Sequence, residues 1–374
     1  MDLQRAYLQS VGLLERIISV PSTSRNEQAV ADYLQQYMEQ AGQAVHRAGN
    51  NLWLIDPRFD ESRPTLLLNA HIDTVKPVAS WQHDPFRATR EDVVLPDGTV
   101  EHRIYGLGSN DDGASLVTLL HVYLMLTSEA DDRRSYNLVF LASAEEEVSG
   151  KQGIESVLPQ LPKIDVALVG EPTGMQPAVC EKGLVVLDGV ARGKSGHAAR
   201  NEGVNALYLA LDAIERLRDY RFVRESELLG PVKVTVTCIQ AGTVHNVVPD
   251  MCTFVVDCRT TDAYTNDEVV SSLQAEVAKV GPVENGSESA VKLTPRSTRL
   301  QPSGIPIDHP LVQRILRHGR KPFGSPTLSD QALMRFPSLK MGPGQSARSH
   351  TADEYIVTDE IRDAIELYYQ ILKD

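Results

Sequence analysis

Apolar residues recur at helical spacing from the start of the chain. Leu3, Tyr7, Leu8, Val11, Leu14, Ile17 and Ile18 fall on one face of a 3.6-residue period and predict an amphipathic helix. The stretch Pro21-Ser22-Thr23-Ser24 breaks that pattern, and Glu27 to Gly42 resumes it as a second helix. The style then changes to short, continuous apolar runs: Leu52-Trp53-Leu54-Ile55, Thr65-Leu66-Leu67-Leu68, Leu138-Val139-Phe140-Leu141 and Val166-Ala167-Leu168-Val169. A run that is apolar at every position suits a strand covered on both faces. These runs alternate with helical stretches such as Ala114 to Leu126, so the first half predicts an α/β sandwich.

From about Gly183 the pattern changes again. A strand (Leu184 to Ala191), a helix (Val204 to Tyr220), two strands (Val232 to Ile239 and Met251 to Arg259), a helix (Asp267 to Val280) and a last strand (Ala290 to Pro295) give the order βαββαβ. That is the ferredoxin-like unit. After it, His309 to Gly319 reads as a helix, Ser338 to Met341 as a strand and Asp359 to Leu372 as a closing helix. The fold class expected is α/β: an α/β/α sandwich on a central mixed sheet, built from residues 1–182 and 296–374 and interrupted by an inserted ferredoxin-like α+β domain at 183–295. Gly281 to Ser289 is the most loop-like stretch.

Composition narrows the classes. A formal charge of -13 over 374 residues argues against nucleic acid or an anionic membrane as the main partner. Cys180, Cys238, Cys252 and Cys258 are too sparse for a disulfide framework, and no Cys-x-x-Cys pair suggests a thiolate metal site. Charged residues within the first helix exclude a signal peptide, and the longest apolar run, Leu116 to Thr127, is interrupted by His121 and falls short of a membrane span. The expectation is a reduced, soluble, cytoplasmic protein.

Five clusters follow the strand runs or a glycine turn, and strand ends are where open α/β sheets place their sites. His71 and Asp73 lie two apart in Asn69-Ala70-His71-Ile72-Asp73-Thr74, on one side of an extended segment. Gly106-Leu107-Gly108-Ser109-Asn110-Asp111 begins like a dinucleotide loop, but Asp111 stands where the third glycine belongs and would repel a pyrophosphate. Glu145-Glu146-Glu147 places three carboxylates side by side, which requires solvation or a strong positive charge. Gly170-Glu171-Pro172-Thr173 and Ser349-His350-Thr351-Ala352-Asp353-Glu354 complete the set. Singly, each has an ordinary reading as a helix cap, an acidic surface loop or a core histidine. Together, two histidines and three carboxylates form an N/O cage for two zinc or similar ions, with one further Glu to handle a proton.

With these motifs in view, the chain resembles the acetylornithine deacetylase and succinyl-diaminopimelate desuccinylase family of dinuclear zinc enzymes, related to aminoacylases and some dipeptidases. The resemblance rests on His71-x-Asp73-Thr74-Val75, Trp81-x-x-Asp84-Pro85-Phe86, Gly106-x-Gly108-x-x-Asp111, Glu145-Glu146-Glu147, Gly170-Glu171-Pro172-Thr173, Ser195-Gly196-His197, Asn246-Val247-Val248-Pro249 and His350-Thr351, in the family's order. It implies that Asp111 bridges two metals, one completed by His71 and Glu171 and the other by Glu147 and His350. It implies two Zn2+ per chain, with Co2+ or Mn2+ as other acceptable ions. Asp73 would orient His71, and Glu146 would be the general base. A cis peptide would follow Asp111. The inserted domain would mediate a homodimer, His197 would reach the partner's active site, and Asn246 and Arg259 would bind the substrate carboxylate. His245 reads as incidental. Leu107, Asp112 and Gly113 replace the family's commoner Arg, Met and Lys, and Glu145 replaces an Asp. These departures remove no ligand and fall on loops expected to line the pocket.

The leading expectation is therefore an N-acyl-amino-acid deacylase most similar to acetylornithine deacetylase, in arginine biosynthesis. The alternatives are a desuccinylase acting on diaminopimelate, ornithine or citrulline derivatives, a dipeptidase of the same family, or a non-catalytic amino-acid-binding protein.

Overall fold

The computed structural model describes residues 2–129, 134–200, 202–281 and 289–373. The first helix spans Leu3–Ile18 and is capped by Asp2, whose carboxylate accepts from Arg5 N at 2.8 Å. Its apolar face, with Leu14 and Ile18, is buried against the helix Gly113–Ser128. That second helix is buried on nearly every side, which explains its uniformly apolar sequence.

Six neighbouring strands of the nine-stranded central sheet run in the order His46–Ala48, Asn51–Ile55, Asn137–Ser143, Thr65–His71, Val166–Val169 and Ser338–Lys340. The last four run parallel and the outer pairs antiparallel, giving the mixed α/β sheet that the apolar runs predicted. Thr65–His71 and Asn137–Ser143 are buried at every position, because layers cover both faces. A separate three-stranded sheet of Thr89–Val94, Val100–Tyr105 and Tyr355–Val357 was not foreseen. Its first two strands are largely polar and part-exposed, so no apolar run marks them.

Contacts divide the chain into two units: Met1–Val179 with Gly304–Phe323 and Ser329–Asp374, and Cys180–Ser303 with Gly324–Leu328. The second thus begins before and ends after the 183–295 read from the sequence. The flanks are drawn in by backbone bonds from Lys182 N to Ser325 O (3.2 Å) and Leu184 N to Leu300 O (3.0 Å). Its sheet is antiparallel, in the order Lys233–Ala241, Met251–Thr260, Gly183–Arg192, Val291–Ser297, with helices Ala206–Asp219 and Asn266–Val277 packed on one face. Gly189 pairs with Phe254, and a Cβ at Gly189 would sit 2.3 Å from the Phe254 ring, so only glycine admits that ring to the core. Most of the loop expected at Gly281 to Ser289 lies outside the described residues.

Candidate metal centre

Three parallel strands end at one edge of the central sheet. In register, His71 stands opposite Ser143 and Asn69 opposite Val169. The residues that follow each strand, Ile72–Asp73, Glu145–Glu147 and Gly170–Glu171, therefore emerge side by side. Asp111 arrives from the loop before the helix Gly113–Ser128, and His350 from the segment after the Ser338–Lys340 strand.

His71 is buried, with Nδ1 2.9 Å from the Asp73 carbonyl oxygen and Nε2 3.2 Å from Asp111 Oδ1. A carbonyl can only accept, so Nδ1 carries a proton and Nε2 is the atom left to face a cation. The other Asp111 oxygen, Oδ2, is 3.7 Å from His350 Nε2, which in turn lies 3.0 Å from Glu147 Oε2. Ligand atoms of His71, Asp111 and Glu147 all lie within 4.8 Å of one another. One carboxylate thus turns its two oxygens to two imidazoles, as a residue shared between two ions must. Hard carboxylates with imidazoles suit zinc or a similar divalent ion. The peptide bond between Asp111 and Asp112 is cis.

Charge is crowded here. Burial pushes Glu146 well above the usual carboxylate range, and Glu171, Asp330 and Glu147 add to the effect against His71. Burial also opposes ionisation of Asp111, but His71 and His350 overcome it and hold that carboxyl low. The hydrogen bond to Glu147 lifts His350 to about 9. The Glu171 charge raises both Glu146 and Asp112, placing its carboxylate beside them, although it is not part of the tight three-residue cluster.

The Asp73 carboxylate does more than face His71, whose Nδ1 lies 3.6 Å from Oδ1. It accepts Glu146 N at 3.0 Å, Glu147 N at 3.2 Å and Ser24 Oγ at 2.7 Å, so one buried anion gathers the His71 strand, the Glu146–Glu147 turn and the N-terminal segment. Buried Glu27 accepts Glu145 N (3.3 Å), and Asn51 accepts Ala144 N (2.9 Å). Asp330 accepts from Ser143 Oγ at 2.6 Å. Sequence reasoning assigned none of Ser24, Glu27 or Asn51 to the site, whereas the resemblance already put Leu328-Ser329-Asp330 on a loop near the substrate. The only signal of Ser24, Glu27 and Asn51 was a polar residue at a helix break or in a strand, which the eye reads as a cap or turn. Asp112 occupies the helix N-cap position without capping; its Oδ2 accepts His71 N at 3.2 Å.

In the second unit, His197 and Asn246 come to one two-stranded ribbon. Gly196–His197 pairs with Val247–Val248, and Ala198 N donates to Asn246 O at 3.0 Å. Arg259 lies on the strand Met251–Thr260, its Nε and Nη2 bonded to Asp257 at 2.9 and 3.2 Å. His245 is exposed.

A carboxylate and imidazole cluster at the ends of parallel strands is a candidate metal centre of the kind a metal-dependent hydrolase needs, and comparison with known proteins gives the family. The chain belongs to Peptidase family M20/M25/M40, whose profile matches residues 67–374. Members hydrolyse amide bonds, and this chain is an amide-bond hydrolase of that family. It is 25% identical over 371 residues to a succinyl-diaminopimelate desuccinylase of Corynebacterium glutamicum, covering 97% of this chain and 95% of that one. It is 28% identical over 329 residues to an acetylornithine deacetylase of Pectobacterium atrosepticum, covering 84% and 81%. Among solved structures, an aminopeptidase from Bacillus cereus superposes with a TM-score of 0.75 at 18% identity, over 100% of this chain and 98% of that one. A dinuclear metal-binding peptidase of Bacillus subtilis gives 0.73 at 15% identity, over 99% and 98%. No helix among the described residues is long and apolar enough to cross a membrane.

Proposed function

We propose that this protein removes an N-acyl group from a small amino acid, with N-acetylornithine as the leading substrate and arginine biosynthesis in the cytoplasm as its setting. The observation that carries the reading is Asp111, with one oxygen toward His71 and the other toward His350 and Glu147. His71 and Glu171 would hold one ion, Glu147 and His350 the other, and Asp111 both; zinc is the proposed metal, and cobalt or manganese fits the same donors. Such ions, when bound, polarise the scissile carbonyl and make a water acidic enough to attack at neutral pH.

Glu146 takes the proton from the attacking water and delivers it to the departing amine. Its buried, carboxylate-crowded surroundings raise its proton affinity, which suits a group that must accept and then release a proton. Asp73 holds Glu146 in place through its backbone N–H. Asn246 and Arg259 take the substrate carboxylate, Arg259 through a planar guanidinium. His197 reaches the site of a second copy of the chain in a homodimer and stabilises the developing oxyanion. These roles in the second unit rest on the resemblance of Ser195-Gly196-His197 and Asn246-Val247-Val248-Pro249 to family motifs.

A second reading, desuccinylation, is favoured by one feature. Lys233 is the cross-strand partner of Arg259, and Arg259 pairs on its other side with Leu184, two residues from Lys182. Burial lowers Lys182, and the nearby charges of Lys233 and Arg259 lower it further. Lys182, Lys233 and Arg259, close enough to repel one another, would be relieved by a substrate with an additional carboxylate. Hydrolysis of N-acetylornithine, N-succinyl-diaminopimelate and a set of dipeptides separates the readings. Activity on dipeptides alone would overturn deacylation. Glu146→Ala should lower turnover by about 10²–10⁴-fold with metal content still near two per chain; undiminished turnover would refute its role as base.

A further inference from the structure

Glu354 belongs to none of the assignments above, yet it is 2% exposed and its carboxylate faces the loop that delivers Asp111. Oε1 accepts Asn110 N and Asp111 N, both at 2.8 Å, and Oε2 accepts Gly108 N at 3.2 Å. The Glu354 backbone joins in, its carbonyl accepting Gly106 N at 3.0 Å. Three main-chain N–H groups converging on one buried carboxyl group form a nest that fixes the loop from which they come.

The same segment carries His350, four residues earlier. It is anchored beyond Glu354 by the Tyr355–Val357 strand, which pairs with Val100–Tyr105, and before His350 by Asn110. The Asn110 side chain accepts Gln345 N at 2.9 Å and donates to Gln345 O at 3.1 Å and Ser349 Oγ at 3.3 Å. Close fit at this dock is enforced by Gly344, where a Cβ would meet Asn110 Oδ1 at 2.3 Å. His350 itself is largely exposed and has a positive φ of 58°, so its place depends on how its segment is tied.

We propose that Glu354 is a positioning residue that locks the Asp111 loop to the His350 arm, so that both present their ligand atoms to the same ion. Asp73 serves the His71, Glu146 and Glu147 side of the centre, and Glu354 serves the Asp111 and His350 side. This rests on the reading of Asp111 and His350 as ligands.

The test is Co2+ titration of metal-stripped full-length protein, followed by calorimetry and by the visible absorption of the bound ion. Glu354→Gln keeps an oxygen for Asn110 and Asp111 but turns an amide toward Gly108 N. Glu354→Ala empties the nest. Affinity should fall about tenfold in the Gln variant and about a hundredfold in the Ala variant, the range seen when a ligand's supporting partner is removed. The cobalt band should shift while far-UV circular dichroism stays unchanged. If Glu354→Ala does not fold, Glu354→Gln decides alone. Wild-type affinity and an unshifted band in the folded variants would overturn the proposal. His350→Ala separates the two levels: if it binds two Co2+ as tightly as wild type, the ligand reading fails, and the role of Glu354 falls with it.

Discussion

The two sheets are covered differently. In the first unit, Thr65–His71 and Asn137–Ser143 are buried residue by residue. In the second, Gly183–Arg192 and Met251–Thr260 alternate between buried and half-buried positions, with helices on one face alone. A sheet packed on both faces cannot shift its strands, so side chains at its ends are held to fixed positions by the whole core. A sheet whose helices lie on one face has half-buried positions on its other, more open face. Fixed strand ends suit ion ligands, and an open face suits a substrate or a second copy.

Replacing Phe140, fully buried on the central strand Asn137–Ser143, with Ala should cost about 3–5 kcal/mol. Both tryptophans, Trp53 and Trp81, lie in the first unit, so a fluorescence melt reads that unit. A loss below about 1 kcal/mol would mean the doubly covered sheet is less tightly packed than its burial implies.

A pH effect follows from His121, buried in the same unit between Ser10 Oγ (2.9 Å) and Tyr37 Oη (2.8 Å). Burial depresses it to about 4 from an ordinary 6.5. The unfolded chain therefore binds the extra proton first, and stability present above pH 6.5 is lost as pH falls toward 4. The loss should reach about 3 kcal/mol across that window. Denaturant melts of His121→Gln should show a flatter pH dependence than wild type; an equal slope would place the titrating group elsewhere.

Metal should act on one unit only. At a hundredfold excess over its dissociation constant, an ion bound to the folded centre adds about 2.7 kcal/mol. Chelation should lower the tryptophan-monitored transition and leave amide exchange in Met251–Thr260 unchanged. Equal weakening of both would show that the units do not unfold separately. The smallest effect belongs to the open face, where Val186→Thr should change stability by less than about 1 kcal/mol. A larger, concentration-dependent loss would show that face covered by a second copy.

The sequence determined the main elements, because apolar runs and helical periodicity report burial directly. It offered five acidic or histidine clusters beside the strand runs, and the resemblance to a known family picked His71, Asp111, Glu147, Glu171 and His350 from them. It missed the sheet of Thr89–Val94 and Val100–Tyr105, whose residues are too polar to leave a pattern. Only the tertiary structure decided what holds these candidate ligands. Asp73 reaches the Glu146–Glu147 turn, 73 and 74 residues away, and Glu354 reaches Asp111 across 243. A carboxylate's reading as cap, ligand or brace depends on which N–H groups the folded chain brings to it. That convergence is a property of the packed sheet and leaves no mark in local sequence.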